Sequence, residues 1–188
     1  MRIILSIIVV ALPLLGGWFT PKPATAQTND AAALNRHLRA LADKGDVESQ
    51  YKLGTAYDEG LGFSKDPTEA FKWFRLAAER GHAHSQFRVG DMYMSGDGVA
   101  KNDGEAVKWF RKAAEQGLPN AQGMLGLMYA KGQAVPVDYV LAYMWLALST
   151  EGNPGAAQFR DAVGQRMTAA QIAEAQKRSR EWKTSKGR

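Results

Sequence analysis

Hydrophobic and small residues recur along the chain at a long, fixed interval. The stretch "AFKWFRLAAERG" ends at Gly81, and "AVKWFRKAAEQG" ends at Gly117. Residues 45–80 and 81–116 are identical at 17 of 36 positions, and the same frame continues through residues 117–152. An interval of this length is typical of solenoid proteins, in which each unit stacks on the next. The sequence therefore predicts three repeats of 36 residues.

Within each unit the spacing predicts two helices, helix A followed by helix B. In the first unit, Gln50, Gly54 and Tyr57 lie at positions i, i+4 and i+7, which share one face of a helix. A tryptophan marks the same kind of face in helix B. We expect these recurring positions to form the structural core of the array. They are Gln50, Gln86 and Gln122; Gly54, Gly90 and Gly126; Tyr57, Tyr93 and Tyr129; and Trp73, Trp109 and Trp145.

The glycine in the middle of helix A indicates close packing. A glycine inside a helix costs about 1 kcal/mol relative to alanine. Its presence at the same place in all three units indicates a backbone that lies directly beneath a large side chain. The candidates for that side chain are the recurring tryptophans, Trp73, Trp109 and Trp145.

Short-range signals set the ends of the helices. Gly60 is expected to end helix A, because glycine tolerates left-handed backbone geometry. Asp66 is expected to cap helix B, and Glu69, three residues later, to complete a capping box. A second capping box is predicted at Thr168 and Gln171.

Imperfect copies flank the three repeats. Residues 27–44 are predicted to hold an N-terminal capping helix, in which residues 31–44 align with helix B, and residues 153–182 to form a degenerate helical pair. Solenoids need such atypical ends, because a terminal unit must stop the stacking. Residues 27–30 and the basic tail, residues 183–188, are expected to be loose.

The repeat pattern, A-x-Q-x-x-L-G-x-x-Y-x-x-G-x-G-V, then D, then A-x-x-W-x-x-x-A-A, resembles the Sel-1-like repeat (SLR) family. It is carried by "SQYKLGTAYDEGLGF" with "EAFKWFRLAA" and by "SQFRVGDMYMSGDGV" with "EAVKWFRKAA". The resemblance implies an all-α fold, a right-handed α/α solenoid related to tetratricopeptide arrays. It also implies an adaptor that holds proteins or peptides.

The third unit departs from this pattern. It is carried by "AQGMLGLMYAKGQAV" with "LAYMWLALST". Ala134 stands in place of the second loop glycine, and Ser149 and Thr150 stand in place of the Ala-Ala pair. The departure indicates that this unit packs against a different neighbour, the degenerate C-terminal end.

The first 26 residues predict export. An apolar run of 13 residues, 3–15, is followed by the small-x-small site "ATA" at residues 24–26. We expect a signal peptide over residues 1–26, cleaved between Ala26 and Gln27, and a periplasmic or secreted product. The alternative is an uncleaved anchor, for which the run is short of the roughly 20 residues of a membrane span. The chain contains no cysteine, so disulfides and lipidated cysteines are excluded.

The distribution of charge argues against nucleic-acid binding. The chain carries 24 basic and 19 acidic residues, a net charge of +5. Residues 27–152 hold 14 basic and 16 acidic residues, whereas residues 153–188 hold eight and three. A near-neutral body with a basic end lacks the basic face of a nucleic-acid-binding domain. The basic end, around Lys177, Arg178 and Arg180, is interpreted as solvated helix surface.

No catalytic, metal or cofactor site is predicted. His82 and His84 lie two residues apart, which is poor spacing for one helix face, and His37 lies in the capping helix. Two ligands without a nearby cysteine leave a metal site incomplete. The loop "SGDGVAKNDGE" lacks the alternate-acid spacing and terminal glutamate of a calcium loop. No serine or histidine is placed like a nucleophile and its base.

The positions of helix A outside the core face form the predicted partner-binding surface. Related solenoids line their concave side with helix A, so these positions should form a groove. Lys52 and Arg88 are expected to be exposed. Tyr51 and Phe87 are either exposed anchors for a partner or half-buried between neighbouring A helices. The predicted binding residues are Tyr51, Lys52, Thr55, Phe87, Arg88, Asp91 and Met124.

Two functions remain open at this point. The first is an adaptor, scaffold or regulator that binds a protein or peptide of the cell envelope, without nucleic acid, cofactor or stable membrane insertion. The second is a cell-wall-associated enzyme or glycan-binding protein. The first is favoured, because no polar constellation interrupts the repeat pattern.

Overall fold

The computed structural model describes residues 24–187, and in this part of the chain it contains nine α-helices and no strand. From α1 to α8 each helix packs mainly on its neighbours in sequence, as in a solenoid, whereas α9 packs on α7. The predicted all-α solenoid is confirmed. The helices are α1 (Ala24–Asp43), α2 (Val47–Glu59), α3 (Pro67–Glu79), α4 (Ala83–Ser95), α5 (Asp103–Glu115), α6 (Pro119–Lys131), α7 (Tyr139–Ser149), α8 (Ala156–Gly164) and α9 (Ala169–Lys186).

The three repeats supply two rows of helices. Helices α2, α4 and α6 are the A helices, and α3, α5 and α7 are the B helices. By the 36-residue interval, α8 continues the A row, while α1 and α9 lie at the two ends of the B row. Both α8 and α9 pack on α7 far more than on each other. The stretches 27–30 and 183–186, expected to be loose, lie within α1 and α9.

The N-terminal segment is described only in part. Residues 1–23, which hold most of the predicted signal peptide, lie outside the described residues. Among the helices that the structure describes, none combines the length and the apolar character needed to cross a membrane.

Hydrogen bonds at the helix ends repeat from unit to unit. Asp66 caps α3, where its carboxylate accepts from the Glu69 N–H at 3.0 Å. The capping box predicted there is wrong, because Glu69 pairs with Lys72 and the Asp66 N–H already donates to the Tyr57 carbonyl at 2.9 Å. The box predicted at Thr168 and Gln171 is confirmed.

A phenylalanine or leucine, not the tryptophan, covers each mid-helix glycine. A Cβ atom on Gly54 would lie 2.6 Å from the ring of Phe74, which is 1% exposed. The next two units repeat this contact, with Phe110 over Gly90 and Leu146 over Gly126. The prediction that tryptophans cover these glycines is therefore wrong.

The tryptophans instead help to hold the B row together. Trp145 of α7 packs edge-on against Trp182 of α9, with ring centroids 6.1 Å apart. Trp73, Trp109 and Trp145 are all buried in the core clusters. The residue after each tryptophan is the one that points from helix B to the A helix of the same unit.

The recurring glutamines join consecutive units. Each is buried and donates a side-chain hydrogen bond to a carbonyl eight residues earlier, in the last turn of the preceding B-row helix. Carbonyls at the end of a helix have no partner within the helix, so a buried donor satisfies them. The pairs are Gln50 to Ala42 at 3.1 Å, Gln86 to Ala78 at 3.1 Å and Gln122 to Ala114 at 3.3 Å.

The third repeat keeps the backbone of the others at its loop. Gly62 and Gly98 have φ values of 73° and 70°, and Ala134 at the equivalent position has a φ of 58°. Alanine is strained in this left-handed region, because its Cβ approaches the following backbone. In α7, the buried Ser149 hydroxyl donates to the Pro119 carbonyl of α6 at 2.7 Å.

Candidate protein-binding face

The A helices turn one surface away from the B row, and we call this surface the A face. Every 36 residues it carries an equivalent position, occupied by Tyr51, Phe87, Gly123 and Phe159. Phe159 lies in the degenerate end and was missed in the sequence analysis, although the interval itself points to it. The A face therefore extends from α2 through α4 and α6 to α8.

At the first unit, Tyr51 is half-buried and packs on two neighbouring helices. Its ring centroid lies 5.9 Å from that of Phe74 and 4.6 Å from that of His82, which begins the next unit. Of the two alternatives for Tyr51, the structure has half-burial between A helices. Lys52 is exposed, with 58% of its side chain accessible, and pairs with Glu48 at 3.3 Å. The half-buried Thr55 bonds back to the Tyr51 carbonyl at 3.1 Å.

At the second unit, the basic residue of the A face pairs with the preceding unit. The ring of Phe87 is half-buried and lies 5.6 Å from that of Phe110. Arg88 pairs with Asp58 of the first unit and lies over the Phe74 ring at 5.3 Å. The prediction that Arg88 is exposed is wrong, because this pairing leaves only 32% of its side chain accessible.

Asp91 is the acidic residue of the A face with no cation beside it. It lies one helical turn beyond Phe87 and is half-buried. Among residues 24–187, no basic nitrogen lies within ion-pair distance of its carboxylate. This carboxylate is therefore available to a cationic group of a partner.

At the third unit the A face opens into a cleft of about 270 Å³ around Gly123. Phe87 and Met124 line it from α4 and α6, and Phe159 lines it from α8 with 45% of its surface exposed. The fully buried Leu146 reaches it from α7. Of these residues only Phe87 and Met124 were predicted to bind a partner. Carboxamides also line the cleft, and they come from Asn120, Asn153 and Gln158.

Of the three histidines, His82 has a structural role at the start of α4. His82 caps α4, where its Nδ1 accepts from the Ser85 N–H at 3.2 Å. Burial lowers the pKa of His82, and Glu48, 3.6 Å from its Nε2, opposes that shift. His84 lies beside it with ring centroids 6.0 Å apart, and His37 is exposed on α1. Within the described part of the chain, no group of three His, Cys, Asp or Glu residues is placed to hold a metal ion.

The basic residues of α9 are exposed and partly paired along their own helix. Arg178 bonds to Glu174 at 2.7 Å, and Lys177 lies 3.9 Å from Glu181. Exposed pairs of this kind contribute little to stability, because water and salt screen them. Arg180 is exposed on the same helix.

Comparison with known proteins identifies a matching family model and two similar solved structures. A family model described as Sel1 repeat matches residues 47–82, 83–118 and 119–154, more than half of the chain. Its three segments begin two residues after the units taken from the sequence. A crystal structure of a Sel1 repeat protein from Oxalobacter formigenes is similar with a TM-score of 0.63. Sequence identity to it is 38%, over 68% of this chain and 96% of that chain.

The second structure is a protective antigen present in uropathogenic Escherichia coli strains, which displays an SLR fold. It matches with a TM-score of 0.61 and 29% identity, over 79% of this chain and 40% of that chain. This chain therefore corresponds to less than half of the antigen's length. The comparison with curated proteins gives no match.

Proposed function

Because the chain belongs to the Sel1 repeat family, we propose that it is an exported adaptor that holds a segment of a cell-envelope protein on its concave A face. Sel1-like repeat proteins generally mediate protein–protein interaction and are typically non-enzymatic scaffolds. The export part of the proposal rests on the apolar run of residues 3–15 and the "ATA" site that comes after it.

The observation that carries the proposal is the composition of the A face. Packing of the repeats uses Gln50, Gly54 and Tyr57 and their equivalents, which are buried except for the half-buried Tyr93. The intervening positions of the A helices combine half-buried rings, an exposed lysine and an uncompensated carboxylate. Aromatic side chains are enriched at the core of protein interfaces, and polar or charged groups are typical of the rim around it. The alternative of a cell-wall enzyme needs an accessible nucleophile beside its base, whereas the Ser85 hydroxyl, 2.8 Å from a ring nitrogen of His82, is fully buried.

A charge swap on the A face tests the proposal. The double change Lys52→Glu with Asp91→Lys reverses both charges and leaves the net charge of the protein unchanged. We expect it to preserve the thermal melt, because surface changes usually alter stability by about 0.5 kcal/mol or less. It should reduce cross-linked capture of the partner from an envelope extract by tenfold or more.

The matched control swaps two exposed charges of α5 in the B row, Lys108→Glu with Glu115→Lys. This control should capture the partner as the unchanged protein does. Equal loss in both variants would contradict binding at the A face. Loss that occurs only when Lys177, Arg178 and Arg180 are changed to alanine would move the binding surface to α9.

Export is tested separately by the intact mass of the protein recovered from the cell envelope. The expected polypeptide begins at Gln27. A mass that still includes residues 1–26, found in the membrane fraction, would contradict export as a cleaved product.

A further inference from the structure

The three complete repeats differ in how they fill the space beneath the A face. In the first two, an aromatic ring of helix A packs on a phenylalanine of helix B, as Tyr51 does on Phe74 and Phe87 on Phe110. In the third, both rings are missing, because the equivalent residues are Gly123 and Leu146. Two rings that fill the other units are therefore absent from this one.

The cleft around Gly123 occupies the place of the missing ring. Phe87 lines it from the preceding unit, and Phe159, the next residue of the periodic series, lines it from the adjoining C-terminal unit. Its volume of about 270 Å³ exceeds the roughly 150 Å³ of an apolar protein cavity that binds benzene. The cleft is thus large enough for one aromatic side chain.

The chemistry of the lining fits an uncharged aromatic group joined to a peptide backbone. The side chains that line the cleft include Met124, Leu127 and Leu146 but no ionisable group. Asn120 and Gln158 are exposed, so their carboxamides can pair with the N–H and C=O groups of a bound main chain. A sugar could also stack on the two phenylalanines and pair with the same carboxamides, so the test below includes N-acetylglucosamine as a probe.

Charge beside the cleft selects the residues that flank the aromatic group in a bound peptide. Asp91 lies one turn after Phe87, a spacing that puts the two Cβ atoms about 5–6 Å apart. Among the described residues it has no cationic partner, whereas Asp58 is neutralised by Arg88. On the other side of the cleft, Arg160 and Asp161 compensate each other at 2.7 Å. Lys131 and Arg166 line the adjoining hollow beyond Leu127 and Phe159, so the uncompensated negative charge is that of Asp91, on the Phe87 side of the cleft, and it favours a cationic neighbour there.

We propose that the Gly123 cleft receives one aromatic side chain of a partner peptide, and that a lysine or arginine close to it in that peptide pairs with Asp91. This inference rests on the proposed binding role of the A face and specifies the chemistry of the bound segment.

A titration monitored by NMR tests the inference. The probes are acetyl-Lys-Gly-Phe-amide, acetyl-Lys-Gly-Ala-amide, acetyl-Glu-Gly-Phe-amide and N-acetylglucosamine, each added to the ¹⁵N-labelled protein. We expect the Lys-Phe peptide to shift the amide signals of Gly123, Asn153 and Ala156. It should bind about tenfold or more tightly than the Ala peptide, since an apolar ring is buried only in the first. The Glu peptide should bind several-fold more weakly at low salt.

The matched variants place residues of the second unit at the equivalent positions of the third. Gly123→Phe with Ser149→Ala reproduces the pair Phe87 and Ala113 and fills the cleft. The serine is changed as well, because a Cβ on Gly123 would lie 3.0 Å from its hydroxyl. We expect the double variant to lose the Lys-Phe peptide, and Ser149→Ala alone to bind it within about threefold of the unchanged protein.

A second variant keeps the test decisive if the double variant does not fold. Phe159→Ala removes a partly exposed wall of the cleft and should weaken the Lys-Phe peptide several-fold. Unchanged binding in both variants, signal shifts confined to another surface, or binding of the sugar without the peptide would each overturn the inference.

The outcome is distinguishable from failure of the proposed function. If the filled variant still captures the envelope partner while the Lys52 and Asp91 swap does not, the A face binds a protein but the cleft inference is wrong. If neither change affects capture, the proposed function fails, whatever the peptides do.

Discussion

The second and third repeats have the same backbone but different interiors. In the second, Phe87 packs on Phe110, and His82 caps the first helix through its ring nitrogen. In the third, a glycine replaces the first ring, and Leu118 begins the helix without a side-chain hydrogen bond. The lesson is that the contacts between units are kept, whereas the filling of the A face varies.

The difference between the two interiors is tested most strongly by truncating the side chain that covers the glycine. Phe110→Ala should lower the free energy of unfolding by about 3–5 kcal/mol, because it removes a fully buried ring and leaves a cavity. Leu146→Ala should cost less, about 2–3 kcal/mol, since Leu146 already borders the open cleft and water can enter. Urea unfolding measures both, and a larger effect at Leu146 would contradict this view of the third repeat.

The recurring glutamines of the second and third repeats should differ less in their contribution to stability. Gln86 donates to Ala78 and also accepts from Gln116 at 2.7 Å, whereas Gln122 donates to Ala114 over a longer 3.3 Å. Gln86→Leu should therefore cost about 2–3 kcal/mol and Gln122→Leu about 1 kcal/mol, because each leaves a buried carbonyl unpaired.

The control for the glutamines is Gln176→Leu, an exposed site on α9, which should change stability by about 0.5 kcal/mol or less. Urea midpoints compare the three variants. Equal, small effects at Gln86, Gln122 and Gln176 would mean that the side-chain bonds do not join the units.

The loop of the third repeat should gain stability when its missing glycine is restored. Ala134 has a φ of 58°, and a residue without Cβ removes the strain of that conformation. Ala134→Gly is expected to stabilise the protein by about 0.5–1 kcal/mol, measured by thermal unfolding. The matched change Ala173→Gly, at an exposed position inside α9, should destabilise it by a similar amount, because glycine within a helix is unfavourable. Destabilisation by both changes would show that Ala134 is not strained.

The smallest expected effect is on the pH dependence of stability. It arises because a histidine caps the first helix of the second repeat, whereas a leucine stands there in the third. Burial lowers the pKa of His82 in the folded state, so the unfolded chain binds more protons as pH falls through its ordinary value of about 6.5. Stability linked to this group is therefore fully present above that value and declines below it. A protonated Nδ1 also cannot accept from the Ser85 N–H.

His82→Asn keeps an N-cap and should remove this component of the pH dependence between pH 8 and pH 5. Since His37 and His84 remain in both proteins, the difference between the two melting curves reports His82. Identical pH dependence would contradict the role of the buried ring.

Much of the fold can be predicted from the sequence because its signals are local and recur. The interval from Gly81 to Gly117 predicts the units, and the spacing of glycine and tyrosine predicts the A helices. The side chain over each glycine was missed because it directly follows the tryptophan in helix B, as Phe74 follows Trp73. Periodicity places both near the packing face and cannot decide which one points at the glycine.

The binding face was harder to predict because its features break the repeat. The pairing of Arg88 with Asp58 has no copy one unit later, where the positions are Met124 and Met94. The cleft depends on a missing side chain in one unit and on Phe159 in a segment whose pattern has degenerated. The pairing of Arg88 with Asp58 leaves no periodic signal, and only the 36-residue interval, carried into the degenerate segment, indicates Phe159.

The glutamine hydrogen bonds affect which insertions and deletions the chain can accept during evolution. Each glutamine finds its carbonyl eight residues earlier, and the arrangement returns after 36 residues. Duplication or deletion of any 36-residue stretch between residues 47 and 154 therefore leaves every remaining glutamine with an acceptor, wherever the copied stretch begins. A change of another length that falls between a glutamine and its acceptor, as within residues 42–50, moves the two apart. Evolution can thus add or remove whole binding positions along the A face while the joints between units stay the same.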